Sequence, residues 1–370
     1  MNRKPLYFPN LDGLRFFGFL LIFCSHALFS ISFSGHDKPA FSTDTSLTHL
    51  GFAGLDFFFV LSSFLITFTI LGEYETSGGF SFKNYFIRRS LRIWPLYFLI
   101  VVAGFVLVSL APLFEISVSP LPSPVWFLSF TLNFYVMEDG QNFLFFMVFL
   151  WTLSVEEQFY LAWGLWLRFF KKYALHFCFL LIFTSLFFRY YLGPDHPGLL
   201  FHTLGIVSNF ALGGILAWSC VFENEFFNLL KSLRRSTVFL LYALLAILLF
   251  TYNPIFGFGK AYVFERLVFG LLFTFVIFDQ CYGENRLFNA GALKPIRFLG
   301  KISYGLYVFH GIAITLLHFS FFKDFLGNSP VEIYVVRPLI LLTLTILFST
   351  LSYFGFEKFF LNISARFRKT

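Results

Sequence analysis

The sequence predicts an all-α integral membrane protein, a bundle of about ten transmembrane helices with both termini in the cytoplasm. Three observations predict it. Of the 370 residues 58% are apolar and only 13% charged, whereas a soluble domain carries about 25% charged residues. A bilayer core of about 30 Å takes roughly 20 apolar helical residues, and segments that meet this need recur along the whole chain. Lys and Arg collect on alternate connections between those segments, as the positive-inside bias requires.

The predicted spans are 11–33, 51–71, 93–111, 149–170, 174–192, 199–221, 237–252, 261–281, 302–321 and 333–355. The seventh is short and is marked at its ends by Lys231, Arg234 and Arg235 and by Asn253-Pro254. With the N-terminus inside, the cytoplasmic connections receive Arg3, Lys4, Lys83, Arg88, Arg89, Arg92, Arg168, Lys171, Lys172, Lys231, Arg234, Arg235, Arg286, Lys294, Arg297, Lys301, Lys358, Arg366, Arg368 and Lys369. Lys38, Lys260 and Lys323 fall outside, with Arg189, Arg266 and Arg337 near outer helix ends, and Arg15 lies within the first span. The Pro-rich segment 112–148 reads as an extracytoplasmic loop with an interfacial or re-entrant piece, because a full span there would invert every later basic cluster.

The same composition excludes other readings. The net charge of +7 is the basic excess of membrane-flanking loops, so no nucleic-acid partner is expected. The 62 Phe residues are apolar filler. The four cysteines show no metal or disulfide spacing, and no metal is expected. The apolar N-terminal run has no small-residue cleavage site, so it reads as a retained span. The sequon at Asn362 is discounted because it faces the cytoplasm in this topology. One transmembrane domain over 1–370 is expected.

Ionisable groups inside spans are expensive and therefore mark candidate sites. The first span carries Asp12, Arg15 and His26. At about 100° per residue these three share one helix face, with His26 roughly 16 Å beyond Arg15. Asp12 and Arg15 also stand at the i,i+3 spacing of a simple ion pair. The second span carries Asp56 among small residues suited to close packing. Arg88, Arg89 and Arg92 form one patch at a cytoplasmic boundary, and guanidinium forks suit phosphate. A plain topology anchor is the alternative. Glu156 and Glu157 open the fourth span at its outer end. Ser303, Tyr307 and His310 make a late polar stripe, with Tyr304 beside it in sequence, and Glu357-Lys358 ends the last span as an interfacial pair.

Five pieces in order, Leu11-Asp12-Gly13-Leu14-Arg15 with His26, Gly54 to Ser62, Arg88 to Pro95, Trp151 to Tyr160, and Ser303 to Tyr307, make the chain resemble the acyltransferase-3 family of membrane-bound O-acyltransferases. Ser63 stands where that family usually has Gly, and Phe359 where a Pro is common. The resemblance is to the stand-alone kind without an SGNH-hydrolase domain, which implies direct transfer or a separate periplasmic transferase. It further implies an acyl-CoA co-substrate, with acetyl-CoA expected, a carbohydrate or glycolipid acceptor in the cell envelope, and the bacterial cytoplasmic membrane with its lipids as the setting.

On that resemblance Arg88, Arg89 and Arg92 would hold the donor phosphates. His26 would act as general base on a sugar hydroxyl. Glu156 or Glu157, or secondarily Asp12, would orient the imidazole, and Arg15 or Tyr304 would stabilise the oxyanion. The competing class is a transporter or flippase of a glycolipid or small metabolite, which accounts for buried charge equally well.

Overall fold

The computed structural model describes residues 7–29, 48–116, 118–251, 255–257, 259–318, 329 and 331–367. Arg3, Lys4, Lys38, Lys323, Arg368, Lys369, Asn253-Pro254 and the ends of the predicted spans 11–33 and 302–321 lie outside the described residues. Among those residues there are helices and connecting turns and no strand. The helices are α1 (Pro9–Phe29), α2 (Thr48–Ser77), α3 (Phe82–Leu110), α4 (Pro124–Leu128), α5 (Leu132–Asp139), α6 (Phe145–Val148), α7 (Leu150–Phe170), α8 (Ala174–Leu192), α9 (Gly198–Phe201), α10 (Thr203–Phe222), α11 (Glu225–Lys231), α12 (Arg235–Phe250), α13 (Glu265–Tyr282), α14 (Lys294–Lys301), α15 (Ser303–His318), α16 (Arg337–Ser352) and α17 (Lys358–Ala365). Single π-helical turns at Glu332–Val336 and Tyr353–Glu357 flank α16.

Each predicted span coincides with helix over most of its described residues. Among the described residues five helical stretches are long and apolar enough to cross a membrane, and a sixth is added if α11 and α12, bent by 92°, count as one. One stretch, Phe145–Leu192, runs for 48 residues. It is not straight. The rings of Trp166 and Phe177 stack with centroids 3.8 Å apart, whereas eleven residues of straight helix would separate them by about 16 Å. The chain therefore reverses at the 3-10 turn Lys171–Tyr173, between the two spans the sequence predicts there.

The chain folds as two compact units, each drawn from three separated segments. The first takes residues up to His26, Ser42–Phe80 and Trp166–Ser303. Its helices meet through small residues, as membrane helices do when no hydrophobic force separates protein from lipid. A Cβ on Gly18 would strike the Phe57 ring, one on Gly51 the Ser25 side chain, and one on Gly213 the backbone of α2. The Ser63 hydroxyl, on the α2 face that receives Gly213, donates to the Phe210 carbonyl at 2.5 Å. The run from Ala290 to Gly300 lies against the first turns of α1, since a Cβ on Gly13, Gly291 or Gly300 would fall on backbone atoms of its partner.

The second unit takes Ala27–Phe41, Ser81–Leu165 and the chain from Tyr304 onward. Here α3 and α7 run antiparallel. Gly104 packs on Met147, Trp94 bonds Glu157, Tyr85 bonds the Tyr160 carbonyl, and Gly164 packs on Tyr85 and Phe82. Segment 112–148 is more than a surface loop. Its short helices bury Phe127, Leu132, Asn133 and Met147 completely, and Phe130 stacks on Trp94 and packs on Tyr97, midway along α3. The segment is thus a connection with short helices packed inward against α3.

Candidate active site

In the first unit, α1 carries Asp12, Arg15 and His26. The Asp12 carboxylate accepts from Arg15 through Oδ1 and from the Tyr7 hydroxyl through Oδ2, each at 2.5 Å. Lys301 sits over the Tyr7 ring. Asp12 is therefore the i,i+3 ion-pair residue, and its assignment as an orienting partner of His26 is corrected. The two stand on one unbroken helix, about 21 Å apart along its axis. Arg15 points its guanidinium at Asp12, away from His26, so the oxyanion role given to it finds no support in its position. His26 is half-buried near the end of α1.

Asp56 also belongs to the first unit, and it is buried. It pairs with Arg266, both 1% exposed, and Asn209 donates to it at 2.6 Å. Arg189 pairs with Glu265 at 2.9 Å and donates to the carbonyls of Leu199, Tyr262 and Val263. Arg189 and Arg266, expected near outer helix ends, are thus locked inside the protein.

The second unit gathers most of the other candidates into one cluster. Trp94 Nε1 donates to Glu157 Oε2 at 3.1 Å. Glu157 is 6% exposed, and its Oε1 is buried without a hydrogen-bond partner. Glu156 accepts from the Tyr160 hydroxyl one turn on, at 2.6 Å, and the Arg89 guanidinium lies 5.5 Å over the Tyr160 ring. Arg89 is close enough to Glu157, and Arg92 to Glu357, to act on them electrostatically. Ser352 donates to Glu357 at 2.8 Å. Arg88 donates to the Phe367 carbonyl at 2.9 Å. The Tyr304 hydroxyl donates to the Ile93 carbonyl at 2.8 Å, so its proton is committed to backbone.

This geometry corrects a second expectation. Glu156 and Glu157 do not open an outer helix end remote from the arginines. Glu157 stands against Trp94, two residues beyond Arg92, so basic patch and acidic pair form a single group. The polar stripe on α15 is structural: Tyr307 shares a hydrogen bond with Thr152 at 2.8 Å, and His310 is fully buried against the Tyr307 carbonyl and the Phe149 ring.

The family described as an acyltransferase domain matches residues 8–354. The chain belongs to the acyltransferase-3 family. It is similar to a provisionally named O-acetyltransferase of Staphylococcus aureus (strain COL), 28% identical over 95% of this chain and 57% of that protein. It is also similar to a protein of Bacillus subtilis (strain 168) with the provisional name peptidoglycan O-acetyltransferase YrhL, 27% identical over 95% of this chain and 54% of that protein. A third relative, O-acetyltransferase OatA of Staphylococcus aureus (strain NCTC 8325 / PS 47), is 27% identical over 95% of this chain and 56% of its own length. The chain thus spans about half the length of the curated relatives it matches. No solved structure matches it.

Within this acyltransferase-3 chain three members of the cluster had no role in the sequence reading. Trp94 lies within the Arg88 to Pro95 piece, and its position after Arg92 gives no sign of a carboxylate partner. Glu357 read as an interfacial residue, yet it is buried, with Gly305 leaving the space beside it. Phe130 sits in a run without periodicity. It adopts φ 53°, a left-handed conformation that a bulky residue rarely takes, at the turn between α4 and α5, and Gln158 bonds its carbonyl at 2.8 Å. Strain of this kind concentrates at functional sites.

Proposed function

We propose that the protein is an acyl-CoA-dependent O-acyltransferase of the bacterial cytoplasmic membrane. It takes an acetyl group from acetyl-CoA and places it on a hydroxyl of an extracytoplasmic or lipid-linked carbohydrate of the cell envelope. On this reading the chain crosses the membrane ten times, and both termini are cytoplasmic. The observation that carries the reading is the cluster of the second unit: three arginines and a buried carboxylate with an unused oxygen in one place, in a chain whose relatives are named O-acetyltransferases.

The arginines fit the phosphates of the donor, because each guanidinium offers five N–H donors in a planar fork. His26 takes the proton of the attacking hydroxyl. The hydroxyl oxygen forms the ester bond as the carbon–sulfur bond of the thioester breaks, and the proton leaves with the coenzyme A thiolate. Wild-type cells should carry envelope glycans heavier by one acetyl group than cells lacking the gene, measured by mass spectrometry. His26→Ala should abolish that increment with membrane insertion intact. Retained acetylation in the variant removes the assignment of His26.

Transport is the second reading, and the buried pairs Asp56–Arg266 and Arg189–Glu265 favour it. Purified protein given labelled acetyl-CoA and envelope glycan separates the two. Transfer of label is the enzyme; movement of the glycan without transfer is the transporter.

A further inference from the structure

Glu157 Oε1 is a buried acceptor with nothing to accept. Its partner oxygen is held by Trp94 Nε1, and Trp94 is held in turn by the Phe130 ring, stacked on it with centroids 5.6 Å apart. The carboxylate is thus fixed in orientation on two helices and the turn between α4 and α5. A buried carboxylate oxygen left unpaired is costly, and an ionised carboxylate can only accept. The missing group must be an N–H or O–H donor. Trp94 lies about 3 Å beyond Arg92 and about 7.5 Å beyond Arg89 along α3. A ligand whose phosphates lie on those arginines presents to Glu157 whatever follows its phosphates. In coenzyme A that is the pantetheine arm, which carries two amide N–H groups and a hydroxyl.

We propose that Glu157 accepts a hydrogen bond from the pantetheine arm of the acyl donor, and that Trp94 and Phe130 hold the carboxylate in place for it. The proposal rests on the reading of acyl-CoA as donor. Glu157 is then the residue that distinguishes coenzyme A from other phosphate-bearing ligands, while the arginines supply grip without that distinction.

Equilibrium binding to the full-length protein in detergent tests this, with coenzyme A and adenosine 3′,5′-bisphosphate as probes. The second probe has phosphates and no pantetheine. Glu157→Gln keeps an oxygen for Trp94 and turns an NH2 toward the ligand, setting donor against donor. Coenzyme A should bind this variant about ten- to hundredfold more weakly, the range of a lost bond to a charged group, while the bisphosphate binds as in wild type. Trp94→Phe, which frees the carboxylate to rotate, should shift coenzyme A in the same direction by less and leave the bisphosphate alone. Unchanged coenzyme A affinity in Glu157→Gln overturns the proposal, and so does an equal loss of both probes. If wild type binds no coenzyme A, the donor reading fails first and takes this inference with it.

Discussion

Asp56→Asn tests whether the buried pair of the first unit is held by charge or only by hydrogen bonding. The substitution keeps an oxygen of similar position and removes the charge that faces Arg266. Two magnitudes compete. A hydrogen bond between membrane helices contributes about 0.6 kcal/mol on average. A guanidinium stranded at membrane depth costs about 2.5–3.5 kcal/mol, and breaking a buried ion pair from one side costs about 3–5 kcal/mol. Asp56 and Arg266 are each 1% exposed, so no solvent can take over the charge, and the larger effect wins. Asn209 already donates to Asp56, and its amide oxygen can offer Arg266 at most a neutral hydrogen bond, which does not replace the lost charge. Asp56→Asn should therefore lose about 3 kcal/mol of stability. The double change with Arg266→Met should lose less than the sum of the single changes, since it strands no charge. Chemical denaturation of the detergent-solubilised protein gives these values, with the monodisperse fraction after heating as a second readout. A loss below about 1 kcal/mol for Asp56→Asn, or strict additivity in the double variant, refutes the reasoning.

Two further outcomes follow from packing. Gly300→Ala should reduce the yield of folded protein sharply, because its Cβ falls on the Asp12 backbone, whereas Gly79→Ala meets nothing within 4 Å and should be neutral; fluorescence-detected size exclusion of the two variants makes the comparison. Arg88→Ala should speed hydrogen exchange in residues 358–367, because Arg88 donates to the Phe367 carbonyl and Ser364 donates to the Arg88 carbonyl at 3.4 Å; unchanged protection would show that α17 is held by apolar packing alone.

The helices were legible because length and apolarity decide them directly. Even the reversal between α7 and α8 was marked in the sequence by Lys171 and Lys172. The Asp12–Arg15 pair was legible too, since i,i+3 spacing within one helix needs no tertiary information. What was not legible depends on depth and register between helices. The sequence placed Glu156 and Glu157 at an outer helix end because they fall early in α7. Their true level is set by where α3 starts: that helix begins at Phe82, eleven residues before the predicted span, so its middle, at Trp94, meets Glu157. The packing of Phe130 on α3 is hidden for a related reason. Three short helices carry no sustained period, and their burial comes from partners far away in the chain. Glu357 was discounted because it ends an apolar run, yet the π-turn that contains it and the gap at Gly305 give it room inside.

The register of α3 and α7 also changes how the arginines act on the proposed reading. An anchor that only fixed topology would need no carboxylates near it, and a permanent phosphate clamp would be weakened by them. Here Arg88, Arg89 and Arg92 share one unit with Glu156, Glu157 and Glu357, so formal charges of both signs balance when no anion is bound. Arg88 is tied to the Phe367 carbonyl, and Arg89 lies over the Tyr160 ring. A donor entering such a cluster exchanges carboxylate for phosphate as the neighbour of each guanidinium, and the reverse exchange is available when coenzyme A leaves. The affinity gained is the difference between two interactions of like kind, which keeps binding modest and release fast. On that reading specificity comes from a contact the phosphates do not make, and the unpaired oxygen of Glu157 is the group we propose for it.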